Sequence, residues 1–459
     1  MDMTQVASLL YLLAAVLFIF TLKMLSSPRT ARRGNAIGAI GMLIAIVATL
    51  VIEQTVTWTW IIAGLVIGSA IGVFLARWVK MTAMPEMVGF LNGSGGLASA
   101  LVVIVEFFGA HADGSGGFAA MAGISSLIGW LTFSGSIVAM LKLREMISGR
   151  PIVFPLQKVV NSLIILCVLG FIVLLGVAPQ HQWMIFPVIA AALVLGVLTV
   201  IPIGGADMPV VISVLNSTSG LAAAATGFLI GNPGLIISGA LVGASGIILS
   251  HLMCVAMNRS LTNVLFGAFG QIATGDAAQI AKRTVRRYSA EDAKIIFDNA
   301  SSVVIIPGYG LAVAQAQHVC KELAGLLEEK GVKVRYGIHP VAGRMPGHMN
   351  VLLAEADVSY SHLLDLDQSN AELETADVSL IIGGNDVVNP IARTDKNSPI
   401  YGMPILNADH AQTVMIIKRS LSPGFAGIDN PLFYEEKTMM LFGDAKKMLT
   451  DIVAAVKAG

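Results

Sequence analysis

The chain has 459 residues, of which 55% are hydrophobic and 13% are charged, and its formal net charge is +0. Soluble globular proteins carry about 25% charged residues, so this composition excludes a chain that is soluble throughout. Residues 1–260 hold 11 Lys and Arg against 7 Asp and Glu, whereas residues 261–459 hold 18 against 22. No basic patch indicates a nucleic-acid partner, and the three cysteines lack ligand spacing, so no metal site is predicted.

The first 260 residues contain nine apolar segments that are long enough, or nearly so, to cross a bilayer as a helix of about 20 residues. They lie at 5–22, 36–52, 57–76, 87–108, 117–140, 158–177, 183–201, 208–230 and 233–257. We therefore predict a polytopic α-helical membrane domain at residues 1–260. No basic region and cleavage site precede the first segment, so we expect it to remain as a membrane helix.

The basic residues of this domain alternate between its connections. All 11 fall after predicted helices one, three, five and nine, and none falls after helices two, four, six or eight: Lys23, Arg29, Arg32, Arg33, Arg77, Lys80, Lys142, Arg144, Arg150, Lys158 and Arg259. The positive-inside rule then predicts an outer N-terminus and a cytoplasmic C-terminal segment. We expect a multi-pass protein of the cell inner membrane.

Small and polar residues stand out within the apolar segments. Glycines repeat every fourth residue at 64–72 and at 239–243, a pattern that favours close helix packing in lipid. Asn92, Ser136 and Asn216 lie inside predicted helices, and Asp207 lies at the cytoplasmic end of the eighth. Each could form an ordinary interhelical hydrogen bond, but together they favour a hydrated proton path. Asn and Ser cannot themselves store a proton.

The composition changes after residue 260. We interpret residues 261–288 as a linker and residues 289–459 as a separate domain in which strands and helices alternate. Strands are predicted at 303–306, 332–336, 362–366, 380–382 and, as the last one, 413–417, with helices near 311–330, 347–356 and 443–457. This alternation is typical of a soluble α/β Rossmann-like doubly wound parallel sheet, which binds ligands at the carboxyl ends of its strands.

A Gly-x-Gly turn follows the first of these strands. Gly308 would permit the tight turn, Gly310 would let the backbone approach a pyrophosphate, and the helix behind them would attract the anion. No acid ends the second strand, where an NAD site has one. Lys418, Arg419 and Ser420 instead end a later strand and suit a 2′-phosphate, which favours NADP(H) over a merely solvated strand end.

Taken together, these motifs resemble those of the β subunit of proton-translocating NAD(P) transhydrogenase, and the resemblance covers essentially the whole length of the chain. The most specific segments begin at Gly204-Gly-Ala-Asp-Met-Pro, Pro307-Gly-Tyr-Gly, Gly337-Ile-His-Pro-Val-Ala-Gly-Arg, Gly384-Asn-Asp-Val-Val-Asn-Pro and Lys418-Arg-Ser. The resemblance implies that this chain binds NADP(H) and that a partner α subunit, in one or two chains, binds NAD(H) and adds membrane helices. It also implies a homodimer of the αβ unit, with hydride transfer coupled to proton translocation.

The resemblance also implies roles for individual residues. Asp386 would lie at the nicotinamide end, with its protonation linked to the redox state, and Asp207 would lie at the mouth that faces the NADP(H) domain. Asn92, Ser136 and Asn216 would line the proton path. The NADP(H) contacts would come from the pyrophosphate turn, from three further loops and from a lid at 420–431: Gly308, Tyr309, Gly310 and Ala314; Val341, Ala342, Gly343 and Arg344; Gly384, Asn385 and Asp386; Lys418, Arg419 and Ser420; Gly424, Phe425 and Ala426.

Two positions depart from the family pattern. Asn92 stands where some members have a proton-carrying histidine, so the titrating group could come from the α subunit, and Phe425 stands where a lid tyrosine is frequent. Two other functions stay open: a membrane electron-transfer reductase, which would need haem or iron–sulfur ligands, and a transporter whose nucleotide domain senses redox state. The reductase is disfavoured by the scattered cysteines and the transporter by the incomplete Gly-x-Gly-x-x-Gly motif.

Overall fold

The computed structural model describes residues 3–52, 58–80, 83–109, 114–148, 151–266, 285–345, 347–396, 398, 400–422 and 428–458. The chain divides into two compact units. The first, the membrane unit, comprises Met1–Gly204 and Val210–Ser250, and the second, the α/β unit, comprises Gly205–Pro209 and His251–Gly459.

Within the described residues, nine helices are long and apolar enough to cross a membrane, as the hydropathy pattern predicts. They are α1 (Met3–Leu25), α2 (Pro28–Ile52), α3 (Trp58–Trp78), α4 (Met84–Phe108), α5 (Gly116–Leu143), α6 (Gln157–Val177), α7 (Ile185–Val200), α8 (Met208–Leu229) and α9 (Pro233–Ala256). The second helix begins eight residues earlier than predicted, because its first turns are basic and were assigned to the preceding connection.

Lys142 differs from its prediction. It was assigned to the connection after the fifth helix, but it lies in the last turn of α5 and is 2% exposed. Its Nζ donates to the carbonyl oxygens of Ile201 (2.5 Å) and Ile203 (2.8 Å), just past the end of α7. Carbonyl groups at a helix end lack intrahelical donors and attract cations. The buried lysine therefore hydrogen-bonds the carboxyl end of a neighbouring helix. Hydropathy alone does not reveal this contact.

Glycine lets α4 and α5 pack closely in antiparallel directions. A Cβ built on Gly93 would lie 3.1 Å from the Ser136 Cβ, and one built on Gly96 would lie 2.9 Å from the Gly129 carbonyl oxygen. Gly239 and Gly243 of α9 likewise pack on α8, as their spacing predicts. The repeat at 64–72 does not behave this way within the described chain, since nothing lies within 4 Å of a Cβ at any of its three glycines.

The α/β unit contains a parallel six-stranded sheet in the order β3-β2-β1-β4-β5-β6. This order is that of a Rossmann-like doubly wound fold. The strands are β1 (Ser302–Pro307), β2 (Lys333–Gly337), β3 (Leu363–Leu364), β4 (Val378–Ile382), β5 (Thr413–Lys418) and β6 (Thr438–Phe442). The central strand β4 is buried at every position, as expected for a parallel sheet covered on both faces.

Strand β6 was not predicted, so β5 is not the last strand. Its sequence, Thr-Met-Met-Leu-Phe, has little β-branched character, and its place in the sheet comes from pairing with β5. The chain around Arg287 also bridges to Met440 of β6. Residues 285–288, assigned to the linker by sequence, thus contact the sheet.

The helices of this unit are α10 (Leu261–Phe266), α11 (Ala290–Asn299), α12 (Tyr309–Val313), α13 (Gln317–Glu329), α14 (His348–Glu355), α15 (Leu366–Leu373), α16 (Ile391–Thr394) and α17 (Ala445–Lys457). Ser289 caps α11 in a reciprocal capping box with Asp292. The helix predicted at 311–330 is two helices, because Gln315 has a φ of +50° and ends the first.

Candidate functional site

The candidate site lies at the carboxyl edge of the sheet. From β1 the chain crosses to β2 on one side, and from β4 it crosses to β5 on the other, so β1 and β4 flank the point where strand order reverses. Ligands bind doubly wound sheets at this point. The four loops that the sequence singled out follow β1, β2, β4 and β5, so the fold brings them to one edge.

Two glycine turns meet at this edge. The amide of Gly308 donates to the Ile382 carbonyl (2.9 Å), and the amide of Gly310 donates to the Gly383 carbonyl (3.1 Å). A Cβ on Gly308 would lie 2.5 Å from the Gly384 Cα, and one on Gly383 would lie 2.2 Å from the Gly310 Cα. Both turns therefore need glycine because backbone packs directly on backbone. The amides of both glycines of the Gly-x-Gly turn therefore already donate within the protein.

The helix behind the first turn is also shorter than expected. α12 has five residues and ends at Val313, with Ala314 as its half-buried C-cap. Because the macrodipole depends on aligned peptide units and on free N–H groups, so short a helix attracts an anion less than the long predicted helix would. An anion at this edge must rely more on cationic side chains.

One such cation is Arg344, in the loop after β2. Its guanidinium carbon lies 4.2 Å from the centroid of the Tyr309 ring, and Arg344 is only 8% exposed. The Arg344 amide donates to Nδ1 of His348 (3.1 Å). Gly343 makes this bend with a φ of +104°, and a Cβ there would lie 2.5 Å from the same Nδ1. The β1 and β2 loops are thus joined by a cation–π contact.

Two buried histidines, His339 in this loop and His348 at the start of α14, were given no role in the sequence analysis. Burial lowers the pKa of each to about 4; the positive charge of Arg344 acts in the same direction on His348. Nδ1 of His339 accepts from the Val341 amide (3.2 Å), so its Nε2 carries the proton and donates to the Pro404 carbonyl (2.7 Å). Both rings are neutral at pH 7 and act as structural hydrogen-bonding groups.

These histidines predict a pH-dependent stability. Because an unfolded histidine has a pKa of about 6.5, the unfolded chain binds more protons between pH 6.5 and 4, and the free energy of unfolding falls as pH decreases through this window. The stabilisation is fully present above pH 6.5, and each histidine changes it by at most about 1.4 kcal/mol per pH unit. Calorimetric melting of the full chain at stepped pH measures the slope. His348→Gln should flatten it, whereas the exposed His318→Gln should not.

The loop after β4 holds a connected set of amides and acids. Asn385 Nδ2 donates to Asp386 Oδ1 (2.9 Å). Asn430, fully buried and assigned by sequence only to the lid segment 420–431, donates to the Asn385 carbonyl (3.1 Å), and Asn389 donates to the Asp429 carbonyl (3.0 Å). The described end of the predicted lid segment is therefore anchored to the β4 loop. An Asn before Pro was the only sequence signal for Asn430.

The end of β5 brings cations to the same edge. Burial lowers the pKa of Lys418 to about 8, and the nearby carboxylates of Asp386 and Asp429 oppose that shift. Lys418 Nζ donates to the Ser422 carbonyl (2.6 Å) and lies 4.5 Å from the Phe433 ring centroid. Arg419 is exposed and pairs with Asp444 (2.9 Å), and Ser420 Oγ donates to Ser422 Oγ (2.9 Å).

The remaining predicted site residues divide into two groups. Val341 and Ala342 lie in the β2 loop, where Ala342 is 4% exposed and Val341 packs against the core of the sheet. Gly424, Phe425 and Ala426 lie outside the described residues.

The membrane unit brings three of its helices together through polar side chains. Asn92 Nδ2 of α4 donates to Ser136 Oγ of α5 (2.9 Å), and Ser219 Oγ of α8 donates to Asn92 Oδ1 (2.8 Å). Ser219 Oγ also lies 2.8 Å from the Asn216 carbonyl. Ser219 lies in the polar run Asn216-Ser-Thr-Ser, and it was not predicted as a site residue because nothing in that run distinguishes it from Ser217. We refer to Asn92, Ser136 and Ser219 as the asparagine cluster.

Asp207 has a partner at the start of α8. Arg259 Nη1 donates to both of its carboxylate oxygens at 2.7 Å, and the aspartate side chain is 14% exposed. Burial raises the pKa of Asp207, while the charge and the hydrogen bonds of Arg259 oppose the rise. The proton affinity of Asp207 therefore depends on the position of Arg259.

Comparison with known proteins decides the family. A family model described as NAD(P) transhydrogenase beta subunit matches residues 7–455. This chain belongs to that family. Two curated relatives called NAD(P) transhydrogenase subunit beta, from Rhodospirillum rubrum and from a named strain of that species, are each 50% identical over 457 residues. Each match covers 97% of this chain and 98% of the relative. The beta-subunit match therefore includes both the membrane helices and the α/β unit.

Proposed function

We propose that this beta subunit binds NADP(H) at the carboxyl edge of its sheet and exchanges hydride with NAD(H) on an alpha subunit, coupled to proton translocation. The family match supports transhydrogenation, and the apolar helices support a membrane setting. We further propose an inner-membrane location with an outer N-terminus, a cytoplasmic α/β unit, and a homodimer of the alpha–beta unit. Residues 1–260, 261–288 and 289–459 would be the membrane domain, linker and nucleotide domain.

One observation supports the NADP(H) assignment. Cationic side chains and the two glycine turns lie at the same edge of the sheet. Lys418 lies close enough to Asp386 for their charges to interact, although the two follow different strands. Strand β2 ends in Tyr336-Gly337 and offers no acid for a ribose 2′-hydroxyl. Guanidinium and ammonium groups bind phosphate, so this edge suits the extra 2′-phosphate of NADP(H) better than the ribose of NAD(H).

In this proposal the residues of the chain bind and orient the nucleotide. Lys418, Arg419 and Ser420 hold the 2′-phosphate. Gly308, Tyr309, Gly310, Ala314, Val341, Ala342, Gly343, Arg344, Gly384 and Asn385 shape the rest of the cleft. Bound NADP(H) supplies the nicotinamide carbon that accepts or releases hydride. Asp386, fixed by Asn385, lies at the nicotinamide end, where its proton occupancy responds to the ring charge. The protein contributes position and exclusion of water.

For proton coupling, we propose that Asn92, Ser136, Asn216 and Asp207 lie along one path. Hydrogen bonds already join α4, α5 and α8 at the asparagine cluster. Asp207, held by Arg259, titrates at the end of α8, and its occupancy would bias the nucleotide domain between conformations of different NADP(H) affinity.

Nucleotide titration of the purified full chain in detergent tests the binding assignment. The double variant Lys418→Ala with Arg419→Ala should weaken NADPH binding about 100-fold, because two charge-assisted contacts of about 1.5 kcal/mol each are lost. NADH binding should change little. The matched control is Lys321→Ala, an exposed lysine of α13. Equal weakening for both nucleotides, or none for either, would contradict a 2′-phosphate site at this strand end.

A further inference from the structure

Two Asn-Pro dipeptides of the α/β unit make the same set of contacts. One begins at Asn389, in the loop after β4, and the other begins at Asn430, shortly before β6. Oδ1 of Asn389 accepts from the backbone amide two residues on (3.1 Å), and Oδ1 of Asn430 does the same (3.0 Å). Because proline has no N–H, this amide is the nearest following one that each side chain can bind. Each asparagine therefore fixes the turn in which it lies.

The side-chain nitrogens of the two asparagines cross between these segments. Asn389 Nδ2 donates to the carbonyl of Asp429, the residue before Asn430, and Asn430 Nδ2 donates to the carbonyl of Asn385. Both asparagines are 0% exposed. A buried amide that lost its acceptor would leave an unpaired donor, so these contacts are costly to break. We refer to Asn389 and Asn430, with their crossed contacts, as the Asn-Pro clamp.

The Asn-Pro clamp holds the turn that carries Asp386. The Asn385 carbonyl that accepts from Asn430 also accepts from the Val388 amide (3.2 Å), and the Asp386 carbonyl accepts from the Asn389 amide (3.2 Å). The side chain of Asn385 donates to Asp386 Oδ1 (2.9 Å). The backbone on both sides of Asp386 and one of its carboxylate oxygens are thus bound to the clamp or to Asn385, which the clamp holds. The position of this carboxylate therefore depends on the clamp.

The Asn-Pro clamp also holds a second acid, Asp429, near the same place. Its carbonyl is bound by Asn389, and its Oδ1 accepts from the hydroxyl of Tyr434 (3.1 Å). The carboxylates of Asp386 and Asp429 both act on the ammonium group of Lys418, although the three residues come from different segments. Because the energy of two charges depends on the distance between them, a shift of either acid changes the electrostatic field in the candidate nucleotide site.

We propose that Asn389 and Asn430 are positioning residues that raise the affinity of this site for the oxidised nucleotide relative to the reduced one, because they hold the Asp386 carboxylate at the nicotinamide end; this rests on the proposed function. The nicotinamide ring is positively charged in NADP⁺ and neutral in NADPH, so a fixed carboxylate beside it stabilises the oxidised form more. Once the clamp is broken, Asp386 can move toward water, where its attraction for the ring is weaker.

Titration of the purified full chain in detergent with NADP⁺ and, separately, with NADPH tests this proposal. Asn430→Ser should weaken NADP⁺ binding about 10-fold, the factor that one buried hydrogen bond is worth, and NADPH binding by less than about 3-fold. Serine keeps an oxygen that can accept from the following turn, but it is too short to donate to the Asn385 carbonyl. Asn389→Ser removes the other crossed contact and should change the ratio of the two dissociation constants in the same direction.

The matched control is Ser379→Ala. Ser379 lies on β4, is 0% exposed and, like Asn430, donates to a backbone carbonyl, that of Ala408 (3.0 Å). Its replacement should lower stability in calorimetric melting but leave the ratio of the NADP⁺ and NADPH dissociation constants unchanged. If Ser379→Ala changes this ratio as much as Asn430→Ser does, the loss of any buried hydrogen bond suffices and the proposal is overturned.

Asp386→Asn distinguishes this inference from the proposed function. Without the carboxylate the ratio should change as it does in Asn430→Ser, and adding Asn430→Ser should change it no further. A changed ratio in Asp386→Asn with an unchanged ratio in both serine variants overturns the role of the clamp and leaves the proposed site intact. If Asn430→Ser does not fold, an unchanged ratio in Asn389→Ser decides in the same way. An unchanged ratio in Asp386→Asn itself refutes the placement of Asp386 at the nicotinamide end, and the inference with it.

Discussion

Replacing Gly383 by alanine is expected to destabilise the α/β unit by about 3 kcal/mol and to abolish most NADPH binding. The φ of Gly383 is +66°, which costs a residue with a Cβ about 1–2 kcal/mol, and its Cβ would lie 2.2 Å from the Gly310 Cα. The added Cβ would meet backbone atoms, which cannot move aside as the end of a flexible side chain can. Overpacking therefore adds about 1–3 kcal/mol. Calorimetric melting and NADPH titration of the full chain measure both effects.

Gly331→Ala separates the two causes. Its φ is +87°, but nothing lies within 4 Å of its Cβ, so only the backbone strain of about 1–2 kcal/mol should be seen and NADPH binding should persist. Equal losses of stability in Gly383→Ala and Gly331→Ala would show that the close contact between the turns at Gly383 and Gly310 does not contribute to stability.

Asn92→Leu is expected to lower proton translocation about 100-fold while leaving NADPH binding unchanged. The leucine has similar size but removes the group that donates to Ser136 and the group that accepts from Ser219. Each lost hydrogen bond should raise the barrier to proton transfer by about 1–1.5 kcal/mol. The luminal dye signal per hydride transferred, in vesicles that also contain the alpha partner, measures the loss.

The control for this variant is Ser94→Ala. Ser94 lies two residues along the same helix, is exposed, and donates to the Leu91 carbonyl, so its loss should not alter translocation. Wild-type translocation by Asn92→Leu would remove the asparagine cluster from the path and favour a route supplied wholly by the alpha subunit.

Sequence reasoning recovered most elements because their signals are local. Nine apolar runs predicted nine membrane helices, and the alternation after residue 260 predicted the parallel sheet. The errors lie where a signal depended on a neighbour. Strand β6 was missed because its pairing with β5 compensates for weak β-branched character. Lys142 was placed in a connection because its carbonyl partners belong to another helix.

The candidate nucleotide site shows the same division. The sequence marked Gly308, Gly310, Arg344 and Lys418 by residue type and by position after strands. It did not reveal that Gly308 and Gly310 press against the turn at Gly383, which lies some 75 positions away, nor that their amides already donate to it. Asn430 and the neutral histidines of the β2 loop likewise acquire a role only from contacts across the sheet edge.

The sequence by itself determined that this chain inserts helices into a bilayer, builds a doubly wound parallel sheet and resembles a transhydrogenase β subunit, because hydropathy, strand and helix patterns and motif spacing are read along the chain. Tertiary structure alone decided that Asn92 meets Ser136 and Ser219, that Asp207 meets Arg259, and that four loops form one edge. Such contacts join residues up to 127 positions apart. They depend on how whole helices and strands pack, which no local pattern encodes.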